Sequence, residues 1–155
     1  MQRIVESEVR KSTTGEPDSA TDALLWLKRG IWFVREFLVC FDDNEVELSQ
    51  CASIAYSRTL KPFHGWVVRG MFSLASSAVP SRAVFISTLS NKTPEETQTP
   101  AYKAQLKREL TAYVSGIDRC LRSLNTLYRK YDLDDGLVSA DQQQSSSSRS
   151  RYHYD

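Results

Sequence analysis

The sequence predicts an all-α domain, and three features carry that expectation. The stretch DALLWLKRGIWFVREFLVCF, Asp22–Phe41, repeats apolar residues at three and four positions in two parallel rows. Leu24, Leu27, Ile31, Val34 and Leu38 form one row, and Trp26, Gly30, Phe33, Phe37 and Phe41 the other. A second long segment, Ala101–Tyr131, carries Tyr102, Leu106, Leu110, Tyr113, Val114, Ile117, Leu121, Leu124 and Tyr128 at the same spacing. No run in the chain demands a strand, and no internal repeat is found.

Taken in order, Met1–Val9 reads as a short helix through Ile4, Val5 and Val9, too short to stand without tertiary partners. Lys11–Ser19, with its Thr, Gly and Pro residues, reads as a loop. Ser19 and Asp22 stand three apart in the manner of a capping box, which starts the central helix near Ala20. That helix is apolar on more than half its circumference, as expected of one inside a helical domain, with Lys28, Arg29, Arg35 and Glu36 left a narrow route to water. It is too short and too charged to span a bilayer. Asp42, Asp43 and Asn44 end it. Glu45–Leu60 is the next helical segment, stopped by Pro62, and Pro62–Ala78 is read as a third helix because proline suits a first turn. Pro80 interrupts again, Arg82–Leu89 is a short helix, and Ser90–Pro100 a loop. The domain is expected to end at residue 138. Residues 139–155, with the run Ser145–Ser148, are expected to form a disordered Ser-rich tail.

Composition narrows the classes of function. The chain has 155 residues, 41% of them hydrophobic and 25% charged, with a net charge of +1. One domain with a sizeable core is expected. Near-neutrality excludes the basic footprint of a nucleic-acid-binding protein, and Lys103, Lys107, Arg108, Arg119, Arg122, Arg129 and Lys130 read as the solvated face of the last helix. Cys40, Cys51 and Cys120 make no CxxC pair and have only two histidines in the chain to assist them. They are expected to be reduced thiols in the cytosol, with neither a disulfide framework nor a metal site. No long apolar run follows the charged N-terminus, so no secretory signal is read. There is no Gly-rich phosphate loop, no GxSxG and no HExxH. Neither an enzyme nor a cofactor is expected.

Two residues of the third helical segment stand out. Val67, Val68, Met71, Phe72 and Ala75 follow His64 at three, four, seven, eight and eleven positions, which sets His64 on the apolar, inward face. A buried imidazole needs hydrogen-bond partners, either within the fold or on a ligand. Trp66 has Arg69, Gly70, Ser73 and Ser77 as helical neighbours and so faces outward. It is either covered by another helix or marks a binding surface or membrane interface, with Lys61 and Arg69 near enough to meet lipid phosphates.

ALLWLKRG at Ala23–Gly30, AYSRTL at Ala55–Leu60 and FHGWVVRGMFSLA at Phe63–Ala75 together resemble the glycolipid transfer protein family. The likeness runs from Met1 to about Leu137 and is nearest to the C-terminal glycolipid transfer domain of pleckstrin-homology-containing Golgi phosphoinositide adaptors. It implies a two-layer helical sandwich that encloses a lipid. It further implies that Trp26 stacks on the first sugar ring, that His64 hydrogen-bonds the ceramide amide and that Trp66 docks on the membrane. Family members that carry ceramide phosphate have a cation in place of that first tryptophan, so Trp26 implies a neutral or simple sugar.

The family also holds its headgroup through a D-x-x-x-N-x-x-K helix, which this chain does not contain. MQRIVESEV resembles the helix that follows it, so the first helices of the family domain are expected to be missing. At roughly 1.5–3 kcal/mol per buried apolar side chain, their loss would rival the ~5–15 kcal/mol that holds a domain together. The expected function is binding and intermembrane transfer of glycosphingolipids at cytosolic membrane faces. The alternative is a transfer-inactive fragment or interaction module that retains the helical core.

Overall fold

Glu8 shows how the chain builds its first unit. In a computed structural model that describes residues 2–43 and 46–134, α1 (Gln2–Lys11) delivers this carboxylate to the start of α2 (Ala20–Phe41). There it accepts the backbone N–H groups of Ala20 and Thr21, both at 2.9 Å, and the Thr21 hydroxyl at 2.6 Å. The first N–H groups of a helix have no partner within it and carry the positive end of its dipole, so an anion suits the position. The Thr21 hydroxyl, followed by the two backbone donors, lowers the Glu8 pKa below its ordinary value. Ser19 supplies the expected cap, its hydroxyl accepting the Asp22 N–H at 3.1 Å.

The chain forms two compact units. One comprises Met1–Trp26 with Arg122–Asp155, the other Leu27–Leu121. The core of the first is Val5, Leu24, Leu127 and Tyr128, with Val9, Leu25, Leu124, Tyr131 and Leu133 packed around them. Tyr128 is fully buried, and its hydroxyl donates to the Thr21 carbonyl at 2.6 Å.

The second unit carries the C-terminal part of α2, then α3 (Leu48–Thr59), a 3-10 turn (Lys61–Phe63), α4 (Trp66–Ser77), α5 (Arg82–Ser90), α6 (Pro94–Thr97) and most of α7 (Pro100–Lys130). The described residues are helices and their connections, as the sequence predicts. α3 buries Leu48, Cys51, Ala52, Ala55, Tyr56 and Thr59. On α2, Arg35 joins Glu36 at 2.7 Å and Asp118 of α7 at 3.0 Å, while Glu36 also meets Arg58 of α3 at 3.3 Å. Arg82, at the start of α5, donates to the carbonyls of Phe41, Asp43 and Val46 and lies 4.6 Å from the centre of the Phe41 ring. The guanidinium fork thus ties together the two ends of the α2–α3 connection.

Several expectations need correction. The third helix begins at Trp66, not Pro62: the proline opens a 3-10 turn, His64 is extended (φ −100°, ψ 136°), and Gly65 precedes the new helix. His64 therefore has no helical face, and the apolar row counted from it is not an inward face. Val67, Val68, Met71 and Leu74 are 50%, 43%, 64% and 75% exposed, and α4 has no buried residue. Nor is α2 enclosed on every side. Leu27, Val34 and Val39 are exposed, whereas Lys28, expected at the water's edge, is buried. Within the predicted loop Ser90–Pro100 lies α6, started by a reciprocal capping box between Thr93 and Glu96. The predicted domain end at residue 138 and the Ser-rich tail fall outside the described residues.

Candidate functional site

A buried tyrosine on α3 organises the surroundings of His64. The Tyr56 hydroxyl lies 3.1 Å from His64 Nδ1, and the residue is only 4% exposed. Its ring stacks on Phe72 of α4, with centroids 3.7 Å apart and planes 9° from parallel. Phe72 meets Phe33 edge-on at 6.4 Å, Phe33 stacks with Phe37 at 6.5 Å, and Phe37 meets Phe85 at 6.3 Å. An imidazole thus stands at the head of a continuous aromatic column drawn from α2, α3, α4 and α5. The contacts at 6.3–6.5 Å fall in the range that aromatic pairs favour, while the Tyr56–Phe72 pair is a closer face-to-face stack. One residue before His64, the Phe63 ring has the Arg29 guanidinium of α2 at 3.6 Å from its centre. This stacked contact anchors the 3-10 turn from which His64 emerges.

The tryptophans are placed differently. Trp66 occupies the first position of α4 and is 85% exposed. Nearby, Arg69 Nε donates to the Lys61 carbonyl at 3.2 Å, so the turn and the helix bring these two cations together; both are exposed. Trp26 belongs to the first unit, two turns into α2, and is 39% exposed. A cavity of about 470 Å³ opens among Phe41, Arg82, Ile86, Lys103, Leu106 and Leu110, and its lining does not include Trp26, Lys61, His64, Trp66 or Arg69.

The profile described as "Glycolipid transfer protein (GLTP)" matches residues 1–91. The chain belongs to this family. Pleckstrin homology domain-containing family A member 8 of Mus musculus is 39% identical over 134 residues, covering 86% of this chain and 26% of that protein. Its Homo sapiens counterpart is 38% identical over the same shares. Glycolipid transfer protein 3 of Arabidopsis thaliana is 27% identical over 84% of this chain and 53% of its own length. The chain spans only part of each of these relatives.

Among solved structures, the one reported as "How FAPP2 Selects Simple Glycosphingolipids Using the GLTP-fold" aligns with a TM-score of 0.74 and 36% identity, covering 87% of this chain and 64% of that one. Human ceramide-1-phosphate transfer protein, bound to 12:0 ceramide-1-phosphate, aligns with a TM-score of 0.71 at 23% identity over 86% and 64%, which speaks for the fold alone. The family is one of lipid transfer proteins, not enzymes. No helix among the described residues is long and apolar enough to cross a membrane.

Tyr56 is the neighbour of His64 that sequence reasoning missed. It acts across a turn, where helical spacing says nothing. The signal that locates the turn is Pro62 followed closely by Gly65, a proline-to-glycine span that breaks a helix more readily than it begins one.

Proposed function

We propose that this chain binds a ceramide-based glycosphingolipid with a neutral or simple sugar and carries it between membranes without covalent chemistry. The observation that supports this most is the column that begins at His64 and continues through Tyr56, Phe72, Phe33, Phe37 and Phe85. A ceramide has the same order of parts, a polar amide at the head of hydrocarbon chains. In this reading His64 meets the amide, and the aromatic column accepts the chains by parting its side chains. Trp26, partly exposed on α2, offers an apolar ring to the C–H face of a sugar. Trp66, Lys61 and Arg69 meet the membrane from the cytosolic side, the indole at the headgroup boundary and the two cations at lipid phosphates.

Transfer of fluorescent glucosylceramide from donor to acceptor vesicles tests this reading. The chain should accelerate transfer above the spontaneous rate, and His64→Ala should reduce the effect by roughly tenfold, the consequence of losing its hydrogen bond to the amide. Transfer no faster than the protein-free control would sink the proposal. The exposed Val67, Val68, Met71 and Leu74 of α4 favour a second reading, an interaction module that keeps the helical core without moving lipid. Lipid that binds but does not transfer would select it.

A further inference from the structure

The cavity at the C-terminal end of α2 has a composition for which a neutral glycosphingolipid has no use. Its floor is apolar, made by the buried Phe41 with the half-buried Ile86 of α5 and Leu106 and Leu110 of α7. Its rim is cationic. Lys103 and Lys107 stand four residues apart on α7, which sets their ammonium groups on one side of that helix. Arg82 lines the cavity too, but its guanidinium is committed to the carbonyls of Phe41, Asp43 and Val46. Against the two lysines the lining offers one carboxylate, Asp42, whose Oδ2 lies 3.5 Å from Lys107 Nζ. Both members of that pair are exposed, a setting in which an ion pair contributes little and is readily exchanged for another anion.

We propose that this cavity binds a single-chain amphipathic anion, a fatty carboxylate. The tail covers Phe41, Ile86, Leu106 and Leu110, and the head takes Lys103 and replaces Asp42 on Lys107. At about 470 Å³ the space has the size of a small-molecule site. Burial of the tail supplies affinity, while charge-assisted hydrogen bonds to the head select a carboxylate over an alcohol of the same length. The site is separate from the surroundings of His64. Arg29, which meets Phe63 beside that histidine, and Phe41, on the cavity wall, lie twelve residues apart on α2, about 18 Å at the rise of an α-helix. The proposal therefore goes beyond the glycosphingolipid reading and does not require it.

Octanoate, far below the concentration at which it forms micelles, is the probe, and octanol its neutral counterpart. Carbon-13 methyl NMR of the full chain reports filling of the cavity through Ile86, its signal assigned by its loss in Ile86→Val, and titration gives each Kd. Octanoate should shift the Ile86 methyl and bind about tenfold more tightly than octanol. The double variant Lys103→Gln, Lys107→Gln should abolish that advantage and leave octanol binding as it was; both lysines are exposed, so the fold is kept. Ala104→Trp, which adds bulk to the lining from an exposed position and leaves both lysines in place, should weaken both probes. An unmoved Ile86 methyl, equal affinity for the two probes, or undiminished octanoate binding by the double variant would overturn the proposal. Displacement of octanoate by a soluble short-chain glucosylceramide would also overturn it, since the anion would then occupy the seat of the neutral lipid.

Discussion

Helices α3 and α4 have the same length, 12 residues each, and opposite fates. α3 is rich in small and polar side chains, yet it buries Leu48, Cys51, Ala52, Ala55, Tyr56 and Thr59. α4 carries Trp66, Val67, Val68, Met71, Phe72 and Leu74 and buries none of them. Apolar character thus says which residues can be buried, while the surrounding elements decide which are. Small residues let α3 lie close to its neighbours, with the Thr59 hydroxyl returned to the Ala55 carbonyl at 2.7 Å. Of the apolar side chains left over on α4, the proposed function assigns Phe72 to lipid and Trp66 to the membrane, while Val67, Val68, Met71 and Leu74 carry the second reading.

A matched pair of leucines puts the largest strain on this comparison. Leu48 on α3 is 1% exposed and Leu74 on α4 is 75% exposed. Leu48→Ala should cost about 2–5 kcal/mol of unfolding free energy in urea titration, while Leu74→Ala should stay within about 0.5 kcal/mol. Equal losses would mean that α4 is covered in solution and that the contrast is void.

Trp66 sharpens the same contrast through binding. Trp66→Ala should leave stability nearly unchanged and weaken association with phosphatidylcholine vesicles by roughly tenfold, an interfacial anchor being worth on the order of 1–2 kcal/mol. Sedimentation with vesicles measures it. An unaltered pellet fraction would place membrane contact elsewhere.

The smallest effect is expected from acid, and in the first unit. The Glu8 carboxylate is held below its ordinary pKa, chiefly by the Thr21 hydroxyl and then by the Ala20 and Thr21 N–H groups. A lowered native pKa gives stability that is fully present above the unfolded value of about 4.3 and fades as pH falls through it towards the native one. Amide exchange at Ala20 and Thr21 should therefore quicken, relative to α3, below that pH. Glu8→Gln should flatten the dependence, and an identical profile in that variant would remove Glu8 as its cause.

Much of this fold was legible because helix signals are local. The double apolar row of α2, the amphipathic α7 and the Ser19 cap each reside in a few neighbouring residues. α6 was just as local, Thr93-Pro-Glu-Glu96 being a capping box with proline at its first position, and was overlooked inside a stretch rich in loop residues. The site was less legible. His64 was singled out, but on a helical face it does not have, because the count ran through Pro62 and Gly65 as though the backbone continued unbroken. Its partner Tyr56 sits eight residues earlier across a turn, a relation that no period of 3.6 or 2 describes. His64 and Trp66 stand out from their sequence neighbours and the family resemblance adds Trp26 and a role for each, while the Tyr56 hydroxyl beside the imidazole is visible only in the folded chain.

The Arg82 clasp also sets an order in time. The carbonyls of Phe41 and Val46 lie 41 and 36 residues before the guanidinium that binds them, so at a synthesis rate of about 5–20 residues per second they wait roughly 2–8 s for it to be made. Glu8, by contrast, precedes Ala20 and Thr21 and is already present when they appear. On a growing chain, α2 gains its side-chain partner first where it begins and only later where it ends, the Phe41 carbonyl being without its arginine until α5 is made.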